Sequence, residues 1–232
     1  DGISKHDLLD QHKHVLGLRD INIDVPAHRI QVIMGLSGSG KSTLIRHINR
    51  LIEPTSGEVV IDGEDVLAMS QMRLREFRRH KISMVFQNFG LLPHRTVTQN
   101  VAYGLTIQGI KGNTAYERSQ HWIERVGLTG FESHYPAQLS GGMRQRVGLA
   151  RAMATDAEIL LMDEAFSALD PLIRTDMQDV LLGLQEELHK TIIFITHDLD
   201  EALRIGDQIA ILRDGVVIQL GDPQEIIMNP AD

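Results

Sequence analysis

The segment Gly35-Leu36-Ser37-Gly38-Ser39-Gly40-Lys41-Ser42-Thr43 constrains this chain more than any other. An apolar run from Arg29 to Met34 precedes it and reads as a buried strand, and a helical stretch from about Lys41 to Arg50 follows. Strand, glycine-rich turn and helix form the context in which G-x-x-x-x-G-K-[ST] cradles phosphate. Glycines let the backbone curl so that several N–H groups converge on one anion, and the helix adds its positive end. Lys41 is then placed to reach the outer phosphates of a nucleotide, and the Ser42 hydroxyl to ligate Mg²⁺. Ser37, Gly38, Ser39, Gly40, Lys41, Ser42 and Thr43 make up the expected binding set. Kinases, GTPases, motors and transport ATPases all carry such a loop, so the rest of the chain must choose among them.

Around the loop the pattern alternates between strand and helix. Ile21-Asn22-Ile23-Asp24-Val25 alternates as a half-exposed strand does, ended by Pro26. Glu58 to Ile61 reads as a strand with a turn at Asp62-Gly63, and Ile82 to Gln87 as another short apolar run. From about Asn88 to Asp156 helical periodicity takes over. Buried strands resume at Ile159 to Met162 and Thr191 to Thr196, with a helix around Leu172 to His189 between them. Gln208 to Leu220 reads as a hairpin turning at Asp214-Gly215. The expected fold class is α/β: a phosphate-loop core with a small antiparallel sheet at its edge and a helical insert. We expect one domain over residues 1–232, with the core at 1–87 and 157–232 and the insert at about 88–156.

The formal net charge of -8 argues against a nucleic-acid surface, because affinity for phosphate backbones needs concentrated Lys and Arg. Arg73, Arg75, Arg78, Arg79 and Lys81 form a local basic patch, which reads as a solvated helix face. The absence of cysteine rules out disulfides and thiolate metal sites. No apolar run approaches the roughly 20 residues that span a bilayer. No signal peptide is visible in the polar N-terminal stretch, so a membrane role is expected to come through a partner.

Two further segments carry chemistry. Ile159-Leu160-Leu161-Met162-Asp163-Glu164 is an apolar strand ending in two carboxylates. Asp163 suits Mg²⁺, and Glu164 suits the polarising of a water that attacks in line on phosphorus. A pair of acids opening a helix would read the same way in isolation. In Leu139-Ser140-Gly141-Gly142-Met143-Arg144-Gln145, Ser140 reads as a helix N-cap, and the glycines leave backbone N–H groups open to an anion. The plainer alternative is a capping turn.

The run Leu139 to Arg146, LSGGMRQR, resembles the signature of the ATP-binding cassette (ABC) ATPases. The resemblance implies a head-to-tail homodimer with two ATP molecules at its interface. Each ATP would meet the phosphate loop, Gln87, Asp163, Glu164 and His197 from one chain, and Ser140, Gly141, Gly142 and Gln145 from the other. Gln87 resembles the glutamine that contacts Mg²⁺ and the attacking water, which makes Ser42, Gln87 and Asp163 the implied metal set. Ser167-Ala168-Leu169-Asp170 resembles the loop that crosses the dimer interface, and His197 the histidine that senses the γ-phosphate and orients Glu164. The implied catalytic group is Glu164, His197, Gln87 and Lys41, acting in Mg-dependent hydrolysis of ATP. One departure concerns the base. Where many members stack adenine on an aromatic ring, this chain reads Gln11-His12-Lys13-His14-Val15, leaving His12 to stack or Val15 to pack.

Met34 to Gly40, Asn49 to Pro54 and Met162 to Arg174 resemble the ATPase subunits of importers for glycine betaine, proline betaine, choline and related quaternary amines. Such a subunit sits on the cytoplasmic face of the membrane, beside permease subunits and, indirectly, a substrate-binding protein. The stretch Asn88 to Val101, with Leu91, Leu92 and Pro93, is the expected permease groove, or else simple packing within the insert. The competing readings are an ABC ATPase of DNA repair or translation, a small-molecule kinase, and a regulatory module without turnover. Glu164 and His197 speak against the last.

Overall fold

The computed structural model describes residues 16–230. In chain order the elements are β1 (Ile30–Met34), α1 (Lys41–Ile48), β2 (Val60–Ile61), β3 (Glu64–Asp65), α2 (Gln71–His80), β4 (Ile82–Phe86), α3 (Val97–Ile107), α4 (Gly112–Arg125), α5 (Gly141–Ala154) and β5 (Ile159–Asp163). They continue with α6 (Pro171–Leu188), β6 (Thr191–Thr196), α7 (Leu199–Ile205), β7 (Gln208–Arg213), β8 (Val216–Gly221) and α8 (Pro223–Met228). The chain divides into two compact units, Asp1–Leu67 with Phe194–Asp232, and Ala68–Ile193. Strand β6 carries the chain from the second unit back into the first.

In the first unit β1 pairs in parallel with β7, Val32 opposite Ile209 and Met34 opposite Ile211. Four consecutive buried residues in β1 mark a strand covered on both faces, which is why its sequence does not alternate. Helix α7 packs against β1. Strand β7 turns back into antiparallel β8 through Asp214 (φ 50) and Gly215 (φ 83), the left-handed pair that a tight hairpin turn requires. Asp62 (φ 52) and Gly63 (φ 79) do the same between β2 and β3. Both turns lie where the Asp-Gly pairs place them.

Among the described residues, the segment Ile21 to Val25 has no strand partner. Ile21, Ile23 and Val25 are half-buried while Asn22 and Asp24 are exposed, so the alternation is real, yet no ladder forms on it. Alternation reports which side faces the interior; a strand also needs a neighbouring backbone to pair with.

In the second unit β4 and β5 run parallel, Ile82 opposite Ile159 and Phe86 opposite Asp163. Helices α3, α4 and α5 pack on one another around Val97, Val101, Leu105, Ile123, Leu128 and Val147, all buried. Val97, Val101 and Leu105 recur every four residues, the spacing of one helix face, and each stabilises the unit by about 1.5–3 kcal/mol through burial. Thr96 starts α3 with a reciprocal cap, accepting from the Gln99 amide N–H while the Gln99 side chain accepts from the Thr96 N–H. On α2, Leu74 and Phe77 face inward and Arg73, Arg75 and Arg79 face solvent, with Arg79 bonded to Glu76 at 2.6 Å. The basic patch is thus the outer face of an amphipathic helix. Asp170 caps α6 by accepting from Ile173 N–H at 3.1 Å, Pro171 takes its first turn, and His189 ends it in a left-handed conformation, φ 48.

Candidate functional site

The phosphate loop lies in the first unit, between β1 and α1, and Gly35 opens it. A Cβ there would come within 2.2 Å of the Leu212 carbonyl oxygen and 2.7 Å of Ser39 Oγ, so the backbone approach admits glycine alone. Gly38 (φ 78) and Gly40 (φ 106) take the left-handed turns that lead into the helix. The tail hairpin braces the loop: Gly215 N–H donates to the Ser39 carbonyl at 3.0 Å, and Arg19 N–H to the Gly215 carbonyl at 2.7 Å.

Lys41 is nearly buried, and its Nζ donates to the Gly35 and Leu36 carbonyls at 2.7 and 2.9 Å. The ammonium is therefore folded over the loop that leads to it. Ser39 Oγ is buried with no hydrogen-bond partner among the described residues. Among the same residues no side chain caps α1, and its first turn carries no acidic residue. Ser37 and Gly38 are exposed, while Ser42 and Thr43 are half-buried on α1. His197 follows β6 directly and is exposed. His12 and Val15 lie outside the described residues.

The second unit supplies the acidic pair. Because Phe86 stands opposite Asp163, the residues that leave the two strands next, Gln87 and Glu164, emerge side by side. Gln87 Nε2 donates to Glu164 Oε2 at 3.1 Å and reaches Ser167 Oγ at 3.5 Å. Glu164 is in a left-handed conformation, φ 46, uncommon for a residue with a side chain and worth about 1–2 kcal/mol of strain. Ser167 holds that bend, its Oγ donating to the Glu164 carbonyl at 2.9 Å and its N–H at 3.2 Å. Asp163 is nearly buried at the strand end.

Ser140 caps α5, its Oγ accepting from Met143 N–H at 3.2 Å, with Ser140 exposed and Gly141 and Gly142 half-buried. A Cβ at Gly142 would meet Ile173 Cγ2 at 2.5 Å, so the signature turn packs tightly on the start of α6. Gln145 differs from its expected position on the face offered to a partner. It is wholly buried, and neither amide atom has a hydrogen-bond partner among the described residues. The helical repeat explains this, since Gln145, Gly148, Leu149 and Ala152 share the inward face of α5.

The expected groove residues divide. Leu91 packs against the core of the helical unit and Leu92 is half-buried, whereas Pro93 and His94 are exposed. Asn100, which sequence reasoning missed, shapes this loop. Fully buried, its Nδ2 donates to the carbonyls of Leu92 (3.1 Å), Arg95 (2.9 Å) and Thr96 (3.0 Å), and its Oδ1 accepts from Leu92 N–H at 2.8 Å. The available signal was an asparagine on the apolar face of α3. Arg144 and Arg151 were also missed. Arg151 donates to the Gly90 and Phe89 carbonyls at 2.6 and 3.3 Å, and the Arg144 guanidinium lies 5.0 Å from the Phe89 ring centroid.

Comparison with known proteins follows the same lines. The ABC transporter family model matches residues 18–167. A glycine betaine transport ATP-binding protein of Bacillus subtilis, OpuAA, is 57% identical over 100% of this chain and 56% of its own length. The glycine betaine/proline betaine transport ATP-binding protein ProV of Escherichia coli is 55% identical over 100% of this chain and 58% of its own. The chain thus spans somewhat more than half the length of these relatives. A dimeric bacterial ABC transporter cassette, MJ0796, superposes with a TM-score of 0.82 at 36% identity over 89% of this chain and 90% of that one. The same cassette in a post-hydrolysis state, bound to ADP and Pi, matches with a TM-score of 0.82.

Proposed function

The chain belongs to the ABC transporter family, and on that premise we propose that it is the ATP-binding and ATP-hydrolysing subunit of an importer for glycine betaine or a related quaternary amine. The observation that carries the catalytic half of this reading is the Gln87–Glu164 pair. A carboxylate held at a strand end by an amide donor and a strained backbone is positioned to polarise water, and it follows a second carboxylate, Asp163, of the kind that serves a metal. The substrate class rests on relatives at 57% and 55% identity that are glycine betaine transport proteins. These relatives do not support the DNA-repair and translation reading.

The phosphate loop would bind the triphosphate through its N–H groups and Lys41, whose ammonium would exchange the Gly35 and Leu36 carbonyls for phosphate oxygens. The unpartnered Ser39 hydroxyl fits an anion in the same place. Among the described residues no group of three or more His, Asp or Glu side chains could hold a metal alone. That fits Mg²⁺, which takes one or two protein ligands and completes its shell with phosphate and water. Ser42, Asp163 and Gln87 would hold it, and when bound it neutralises charge on the phosphates. Glu164 then orients and deprotonates the attacking water, with His197 helping to orient Glu164.

A second copy of the chain would contribute Ser140, Gly141 and Gly142 to each nucleotide, as the dimeric cassette suggests by its likeness. Closure on ATP and reopening after hydrolysis would drive permease subunits supplied by a substrate-binding protein. Among the described residues no helix is long and apolar enough to cross a membrane, so attachment at the cytoplasmic face would come through the permease. Co-purification from membranes tests this reading: a quaternary-amine permease in the complex is the expected result, and a complex containing only soluble repair or translation factors would overturn it.

A further inference from the structure

We propose that Arg144 and Arg151, on the signature helix α5, are positioning residues for Gln87. They clamp the Phe89–Gly90 bend, so that the segment following Gln87 and the signature turn move as one piece. The proposal rests on the reading of Gln87 as a participant in ATP hydrolysis.

The bend needs holding. Phe89 (φ 58) and Gly90 (φ 56) are consecutive left-handed residues, and for Phe89 that conformation is disfavoured by its own Cβ. Local bonds close the turn only from within, Phe89 N–H to the Phe86 carbonyl at 3.1 Å and Gly90 N–H to the Asn88 carbonyl at 2.6 Å. The carbonyls of Phe89 and Gly90 are taken by Arg151, through Nη2 and Nη1. The fit is close: a Cβ on Gly90 would lie 2.9 Å from Phe86 Cδ2 and 3.4 Å from Arg151 Nη2.

Arg151 is an unusual choice for mere packing. Burial lowers its guanidinium pKa from the ordinary value, opposed in part by Tyr103, and among the described residues it has no acidic partner. A desolvated cation without a carboxylate is unfavourable unless its hydrogen bonds compensate, and here they go to the loop behind Gln87. Arg144, two turns earlier on the same face of α5, ties the other end. Its Nη1 donates to the Leu139 carbonyl at 2.7 Å, immediately before the capping Ser140, while its guanidinium covers the Phe89 ring. One side chain thus touches both the signature turn and the loop of Gln87. A shift of the signature would be transmitted to the amide that hydrogen-bonds Glu164.

The test uses the whole chain with Arg151→Met and Arg144→Leu, each made alone and in a Gln87→Ala background. ATP turnover, binding of mant-ATP and amide hydrogen exchange are followed. For Arg151→Met, kcat should fall about tenfold or more and KM change by less than about twofold, because the loss is one of positioning. Exchange should quicken in residues 86–92 with α3 and α4 unchanged. In the Gln87→Ala background the same substitution should lower kcat by less than about twofold, since a residue acting through Gln87 has nothing left to position. Arg151→Lys should recover part of the rate.

An equal loss in both backgrounds, or exchange that quickens throughout the helical unit, would overturn the proposal. If Arg151→Met does not fold, the half-buried Arg144→Leu decides by the same cycle. A Gln87→Ala chain as active as wild type would defeat the reading of Gln87 instead, and exchange at residues 86–92 would still decide whether the clamp exists.

Discussion

Gln87 donates its amide to the Glu164 carboxylate at 3.1 Å because the strands that carry them are in register one residue earlier, Phe86 against Asp163. Two residues far apart in the chain are thereby made neighbours by a ladder of mostly apolar residues, Ile82 to Phe86 and Ile159 to Met162. The amide can donate to a carboxylate and, through its oxygen, accept from a water. On the proposed reading it connects Glu164 to the position a nucleophile would occupy.

Glu164→Gln keeps the shape of this contact and removes the carboxylate proposed as the base. Turnover should fall by about a hundredfold or more while ATP binding stays close to wild type. Steady-state phosphate release and mant-ATP titration check the two halves, and size-exclusion in ATP should show a trapped dimer. Hydrolysis at the wild-type rate would remove Glu164 from its assigned role.

Gly35→Ala tests the loop. The added Cβ meets a carbonyl oxygen at 2.2 Å, and a main-chain atom cannot swing aside as a long side chain can. Displacing the loop should destabilise the chain by about 1–3 kcal/mol and abolish nucleotide binding. Thermal unfolding and mant-ATP titration would show both, and an unchanged Tm would mean that the approach between Gly35 and Leu212 is looser than described.

Gly142→Ala should destabilise through one identified contact, Ile173 Cγ2 at 2.5 Å. Ile173→Ala removes that methyl group, so the double variant should be less impaired than the two losses added together. Denaturant unfolding of the four proteins in the cycle measures it. Strict additivity would show that Gly142 is needed for another reason.

Asn100→Ala removes the side-chain partner of the Arg95 carbonyl and the Leu92 N–H, while the Leu92 and Thr96 carbonyls keep only their backbone bonds from Arg95 and residue 100. A loss on the order of 3 kcal/mol is expected. Hydrogen exchange should quicken at residues 92–96, while nucleotide affinity, proposed to rest chiefly on the phosphate loop, should hold. Unaltered exchange there would show that the loop keeps its shape by other means.

Local patterns were legible before any coordinates. The phosphate loop, the acidic pair and the signature turn are each a handful of adjacent residues whose order dictates their geometry. The Asp62-Gly63 and Asp214-Gly215 turns announced themselves for the same reason. What depends on a partner elsewhere in the chain was not legible. The Gln87–Glu164 contact follows from a strand register that no short window contains, and the Ile21 to Val25 alternation finds no strand neighbour among the described residues. Gln145 lay between the two cases. It sits within the signature motif, yet the helical repeat from Gly141 carries it to the inward face with Leu149 and Ala152.

The hydrogen bond from Gly215 to the Ser39 carbonyl has a consequence for how the protein is made. The phosphate loop leaves the ribosome well before Leu212 and Gly215, which shape it. Contacts so distant in sequence form slowly, and only after most of the chain is available. A nascent chain arrested before the tail hairpin would carry the complete motif and still lack a finished nucleotide pocket. A finished loop arrives only with the hairpin, which keeps the growing polypeptide from engaging nucleotide earlier.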